Sequence, residues 1–167
     1  MEIEPDLNKR ILRAKELLAT IKHAAMATVN ADGSPHNTPY LFMHDPELKY
    51  LFWGSDTRSL HSVNVLRTGQ IFVVLYDALQ RGGLYIKAQN GRTLSGKELD
   101  KALAIHNTIR AKENKDPLDA EYYSTTPTRK MWAAEITNLW VNTAERDSLG
   151  RVIRDGRIEI TRADLLE

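Results

Sequence analysis

An α+β fold built around an antiparallel β-barrel of six or seven strands, with flanking helices, follows from three features of this 167-residue chain. Short strand-like runs are joined by hairpin signals rather than helical crossovers, which makes the sheet antiparallel. One run, Ile71-Phe72-Val73-Val74-Leu75, is continuously apolar, as expected of a strand buried on both faces. Two stretches of helical periodicity, within residues 7–21 and 99–109, interrupt the strands rather than alternating with them.

Asp6 is placed to cap the first helix, because its carboxylate can accept from unpaired backbone N–H groups. The buried face of that helix is Leu7, Ile11, Ala14, Leu18 and Ile21; Lys9, Arg10, Arg13, Lys15 and Glu16 suit solvent. A strand over 25–30 runs into Ala31-Asp32-Gly33-Ser34, where Asp-Gly supplies the positive φ angles of a hairpin. The return strand, 35–43, carries Pro35 and Pro39, which cannot donate to a ladder and so require an edge or a ligand on that side. A turn at 44–47 leads to a strand over 49–54. The segment 56–66 has Leu60, Val63 and Leu66 at helical spacing and stops at Gly69. The apolar strand spans 70–76, and Gly82-Gly83 opens another over 84–92. Ser95-Gly96-Lys97-Glu98 reads as a capping box for a second long helix, with Leu99, Ala102, Leu103, His106 and Ile109 inward. Residues 117–128 are expected as a surface excursion, 131–143 as a long strand, 151–160 as a hairpin about Asp155-Gly156, and Thr161 as the start of a last turn. No repeat, low-complexity stretch or linker divides the chain, so residues 1–167 are expected as one domain.

Composition narrows the function classes. Lys and Arg total 23 against 22 Asp and Glu, a net charge of +1, which offers no electrostatic case for nucleic acid or an anionic membrane. The absence of cysteine excludes disulfides, thiolate metal sites and cysteine nucleophiles. The opening Met1-Glu2-Ile3-Glu4-Pro5-Asp6 lacks the basic-then-apolar pattern of a signal peptide, and no apolar run is long enough to span a bilayer. A soluble cytoplasmic protein is the expectation.

The most informative stretch is Trp53-Gly54-Ser55-Asp56-Thr57-Arg58-Ser59-Leu60-His61-Ser62-Val63-Asn64. It sets hydroxyls, a guanidinium, an imidazole and an amide between a strand and a helix start. A helix N-terminus offers free N–H donors and partial positive charge, which favour a phosphate. Arg58 can add a charge-assisted pair, and Ser55, Thr57 and Ser59 neutral donors. The competing reading is that Ser55, Asp56 or Thr57 caps the helix while Arg58 is solvated. The five histidines show no metal-ligand spacing, no Gly-x-Ser-x-Gly elbow accompanies Ser59 and His61, and Gly82-Gly83 lacks the Lys-Ser/Thr ending of a phosphate loop. His106, on an apolar helical face, reads as a core or interface histidine.

Several of these runs, in order, resemble the pyridoxamine 5′-phosphate oxidase-like, FMN-binding split-barrel family. They are residues 25–39, 50–55, 57–64, 70–77, 83–89 and 132–142, so that the likeness covers about 24–160. The resemblance implies a split β-barrel that binds flavin mononucleotide (FMN) at a homodimer interface, with oxidoreductase chemistry supplied by the cofactor. It implies that 35–40 lies along the isoalloxazine edge, with backbone groups of His36, Asn37 and Thr38, beside Pro39, bonding the ring. Trp53, Gly54 and Ser55 would flank the ribityl-phosphate, and Thr57, Arg58 and Ser59 would take the phosphate. His61 and Asn64 fall on the short helix that members of a related subgroup also mark; Gln89 is a further ring candidate. Trp140 or Arg157 would come from the partner subunit. Ser59 and Leu60 follow Arg58 where many members have a Lys, one cation fewer, worth about 1.5–3 kcal/mol of charged hydrogen bonding. Ala88 stands where a Gly is usual, and the residues that bind pyridoxal phosphate in the true oxidases have no counterpart. Vitamin B6 oxidation is therefore not the expected reaction, and no catalytic residue is assigned. A non-enzymatic flavin-binding protein, or a barrel holding haem or a deazaflavin, are the alternatives.

Overall fold

The computed structural model describes residues 7–167, with Gln80 and Arg81 followed through their backbone. Helix α1 (Leu7–Thr20) leads into the hairpin β1 (His23–Val29) and β2 (Pro35–Leu41), then β3 (Met43–His44) and β4 (Tyr50–Asp56). Helix α2 (Leu60–Thr68) precedes the hairpin β5 (Ile71–Asp77) and β6 (Gln80–Thr93). Helices α3 (Gly96–Lys112) and α4 (Ala120–Thr125) separate β6 from the hairpin β7 (Arg129–Arg146) and β8 (Val152–Ile160); α5 (Arg162–Leu166) follows. Every strand pair is antiparallel, in the order β2-β1-β5-β6-β7-β4-β3, with β8 on β7.

The order explains the barrel. β2 and β3 stand at opposite ends of the sheet, yet Phe42 alone separates them in the chain. One residue reaches only about 3.5 Å, so the sheet must curl until its two ends meet. The backbone joins the two ends there, whereas no ladder pairs β2 with β4; this is the split. Alternation along β4 then sorts two cores. Leu51 and Trp53 point into the barrel, where Trp53 stacks on Trp132 at 6.0 Å and 13°. Phe52 points outward and packs with Met43, Leu99, Leu103, Tyr123 and Met131 beneath α3 and α4. The first core also takes Ala14 and Leu17 of α1, with Leu7, Ile11, Leu18 and Ile21 packed against it, as the helical period requires.

Several expectations are corrected. Eight strands lie among the described residues, because the run 35–43 breaks at Phe42, whose N–H bonds Lys22 O at 2.8 Å. β5 alternates instead of being buried on both faces: Ile71, Val73 and Leu75 are buried, while Phe72 and Val74 are half-buried and Tyr76 exposed. The Asp32-Gly33 turn has positive φ only at Gly33 (84°), since the Asp32 carboxylate accepts from Ser34 N–H and closes a longer loop. Arg13 is not a solvent residue. Its stem lies against Gly82, where an added Cβ would come 3.1 Å from Cγ, and its Nη2 donates to Asp77 at 3.0 Å. The Ser95 capping box does not form, because the Glu98 carboxylate pairs with Arg92 at 2.6 Å instead. Residues 120–125 form α4, capped by Asp119 through Tyr122 N–H at 2.8 Å, and Tyr123 is buried. The Asp155-Gly156 hairpin is absent: both residues sit within β8, opposite Ala144 and Thr143. β7 runs on to Arg146, and the chain reverses at Asp147–Gly150, where the Asp147 carboxylate accepts from Leu149 and Arg151 N–H, both at 2.9 Å. The Thr161 turn forms a full capping box with Asp164. The Asp6 cap lies outside the described residues.

Candidate functional site

The site begins at the free edge of β2. Pro35 and Pro39 share one parity and cannot donate to β1, while Phe42 N–H, of the other parity, bonds toward β1. Residues 35, 37 and 39 therefore turn their backbone groups outward, and Asn37 supplies the one N–H among three carbonyls. The two prolines also blunt the edge against strand addition. Of the three residues expected to bond a ring through the backbone, His36 and Thr38 turn those groups to β1 instead; only Asn37 retains them for a ligand.

The second part lies where β4 hands over to α2. Ser55 and Ser62 are buried, and Ser59 and His61 half-buried, in one polar cluster. Ser55 Oγ lies 2.7 Å from His61 Nε2 and Ser59 Oγ 3.1 Å from the same atom; Ser62 Oγ donates to Ser55 Oγ at 3.2 Å. Burial, and then the charge of neighbouring His36, lower the His61 pKa, so the imidazole is neutral near pH 7. Ser59 is the N-cap residue of α2 yet its side chain makes no cap bond, which leaves the first-turn N–H groups without a side-chain acceptor. The Arg58 side chain, 77% exposed, pairs with Asp56 through Nε at 3.1 Å and Nη2 at 2.9 Å. Asp56 also accepts from Arg58 N–H and Thr128, and these bonds hold its carboxyl far below the usual carboxylate range. Thr57 N–H bonds Thr128 O at 2.8 Å, tying the loop to the start of β7.

Asn64 faces inward. Its Nδ2 donates to Thr28 Oγ1 at 3.0 Å and to Asn30 Oδ1 at 2.8 Å, and the residue is only 2% exposed. It ties α2 to β1 and its turn. The apolar residues read as the buried face of this helix do the reverse: Leu60, Val63 and Leu66 are about half exposed, while Ser62, Asn64 and Val65 are buried. The polar cluster takes the inner side and displaces them. Trp53 is buried in the barrel core, so only its backbone faces the site. Gly54 faces α4, where an added Cβ would stand 3.1 Å from Tyr123 Oη and 3.7 Å from Arg129 Nη2.

Gln89 and Trp140 make no hydrogen bond or ring contact with these residues among the described ones: Gln89 lies on β6 opposite Glu135, and Trp140 on β7 opposite Tyr85 and Glu159. Trp140 instead packs beside Phe72 at 6.1 Å, and Arg157 lies over Tyr85 at 4.0 Å and Phe72 at 5.3 Å, on the outer sheet face. Sequence reasoning missed Asp56 as the Arg58 partner, Thr28 and Asn30 as the Asn64 partners, and Tyr123 and Arg129 beside Gly54. The last two were within reach: Asp119 three residues before Tyr122 is an N-cap signal. No three His, Cys, Asp or Glu side chains gather for a metal ion among the described residues, and no helix among them is long and apolar enough to cross a membrane.

No protein-family model matches this sequence, and no curated protein matches it. Solved structures do. A protein of unknown function from Agrobacterium tumefaciens superposes with a TM-score of 0.65 at 22% identity, over 98% of this chain and 62% of the other. A heme-binding protein from Mycobacterium smegmatis gives 0.64 at 14% identity, over 99% and 62%. This chain thus spans under two thirds of the length of either. A Clostridium acetobutylicum protein related to general stress protein 26 of B. subtilis, of the pyridoxinephosphate oxidase family, gives 0.58 at 16% identity, over 92% and 96%. The curled antiparallel sheet, split between β2 and β4, is the split-barrel fold of the pyridoxamine 5′-phosphate oxidase-like proteins.

Proposed function

We propose that this chain is an FMN-binding oxidoreductase whose cofactor lies between β2 and the start of α2 and is completed by a second copy of the chain. The observation that carries the reading is the start of α2: the uncapped first turn of a nine-residue helix, flanked by the Ser55–Ser59–His61 cluster and by an exposed guanidinium. Those are the donors a dianionic phosphate requires: the first-turn N–H groups meet no side-chain acceptor, and the phosphate takes over the serine hydroxyls and the guanidinium from His61 and Asp56. Arg58, Ser59 and Thr57 hold the phosphate; until it binds, neutral His61 orients the two serine hydroxyls. Asn37 N–H and the carbonyls of Pro35, Asn37 and Pro39 match the mixed donors and acceptors along a flavin ring edge. Bound FMN supplies the hydride and electron transfer. The half-exposed Leu60, Val63 and Leu66, and the outer face bearing Phe72, Tyr85, Trp140 and Arg157, are apolar and aromatic surface that a two-fold partner covers.

A second reading, haem, is favoured by the likeness to a heme-binding protein. Mass-spectrometric identification of the co-purifying ligand decides between flavin, deazaflavin and haem. With FMN, Arg58→Ala weakens binding about tenfold to a hundredfold, the value of one charged hydrogen bond. Sedimentation gives a dimer, and the holoprotein oxidises a reduced nicotinamide when an acceptor is added. A monomer at micromolar concentration refutes the shared site; photoreduction without turnover leaves a flavin carrier.

A further inference from the structure

A second cavity lies on the far side of β4 from Ser55, between α3, α4 and β2. It measures about 400 Å³ and is walled by Leu41, His106, Arg110, Tyr123 and Arg129, with Glu113 and Lys115 at its margin. Two of its three cations, Arg110 and Arg129, form no ion pair among the described residues, while the third, Lys115, pairs with Glu113. Arg110 Nε donates to the backbone oxygen of Asp116 at 2.6 Å, and Arg129 Nη2 reaches Gly54 O at 3.4 Å; neither meets a carboxylate among the described residues. The one carboxylate in the wall, Glu113, is occupied by Lys115 at 2.8 Å and Lys22 at 3.2 Å. His106 is buried, and its Nδ1 has no hydrogen-bond partner among the described residues. Burial, and then the charges of Arg110 and Arg129, push its pKa down, so the ring is neutral and able to donate one hydrogen bond.

Leu41 and Ile109 line both this cavity and an adjoining recess of about 300 Å³, whose walls include Leu18, Ile21, Phe42, Met43 and Ile105. This second chamber is mainly apolar, with Thr20, Lys22, His44 and Lys112 as its polar lining. One chamber thus offers two guanidinium groups and an orphaned imidazole, and its neighbour an aliphatic and aromatic wall. Ligand sites have this combination of apolar walls and a few convergent polar groups.

We propose that the paired chambers bind an amphipathic acid, its anionic head (carboxylate or phosphate monoester) between Arg110 and Arg129 and its apolar tail in the recess beneath α1 and α3. A charged head between the part-buried Arg110 and the exposed Arg129 supplies a counter-charge that no carboxylate among the described residues gives them. The tail replaces water on Leu18, Ile21 and Ile105. The site uses no residue assigned to FMN, so it stands or falls separately.

The test is calorimetric titration of the purified full chain with acetate, butanoate, octanoate, octyl phosphate, octanol and octylamine. Saturable binding of octanoate or octyl phosphate at one per chain is expected, the tighter of the two identifying the head. Affinity rises with chain length from acetate to octanoate, octanol binds at least tenfold more weakly, and octylamine does not bind. Arg129→Gln and Arg110→Gln, both at sites open to solvent on one side, each lower the affinity tenfold or more without changing the flavin content. Absence of saturable binding by both eight-carbon acids, equal binding by octylamine, indifference to chain length, or indifference to both arginine substitutions overturns the proposal.

Discussion

Replacing Asn64 by Ala separates a structural tie from a ligand contact. The side chain is buried and spends both amide hydrogens on Thr28 Oγ1 and Asn30 Oδ1, at 3.0 and 2.8 Å. Asn30 in turn donates to Ser34 Oγ at 3.0 Å, so the amide of Asn64 braces the β1–β2 turn against α2. Truncation removes two hydrogen bonds, at about 1 kcal/mol each, and leaves the buried Thr28 hydroxyl without this donor, at about 1–3 kcal/mol. The expected destabilisation is about 3–5 kcal/mol, a large share of the roughly 5–15 kcal/mol that holds a domain folded. In urea denaturation followed by circular dichroism, the midpoint falls by roughly 1–2 M with the slope unchanged. A Thr28→Val, Asn64→Ala cycle gives a coupling of about 0.5–3 kcal/mol. A midpoint that stays in place while FMN affinity drops tenfold refutes the reasoning, because Asn64 then serves the ligand and not the turn.

Two further outcomes follow from the same geometry. Gly91→Ala places a Cβ 2.3 Å from Val65 Cγ1, which is fully buried on α2, and costs about 1–3 kcal/mol in chemical denaturation; adding Val65→Ala removes that clash, and a double variant no less perturbed by the Gly91 change than the native background counts against it. Asp56 has a folded pKa held below its unfolded value by Arg58 and Thr128, so its contribution is complete above about pH 4 and disappears as pH falls through the lower folded value. Thermal melts from pH 2 to 7 therefore show the gap between native protein and Asp56→Asn closing at the acid end; a constant gap contradicts the pairing.

Local chemistry was legible wherever neighbours in the chain settle it. Gly33 and Gly69 adopt positive φ at the turns their sequence context marks, Thr161 and Asp164 cap each other, and the α1 stripe faces the core. The prolines of β2 announced an open edge, and their shared parity shows which residue keeps a free N–H there. Hairpin signals against helical crossovers sufficed for an antiparallel α+β fold. What needed tertiary structure was every choice between partners remote in sequence. Glu98 lies three residues from Ser95, yet Arg92 across a turn wins it, because a charged pair outweighs a backbone cap. Helix α2 carries leucines and valine at a helical period, but Ser62 and Asn64 found buried hydroxyl and amide partners, and unsatisfied polar groups cost more to bury than apolar ones cost to expose. The two-chamber cavity joins α1, β2, α3, α4 and the start of β7, and no spacing rule relates Leu18 to Arg129. Periodicity and turn residues determine which elements form; which faces meet depends on how the sheet closes, and that closure turns on the single residue between β2 and β3.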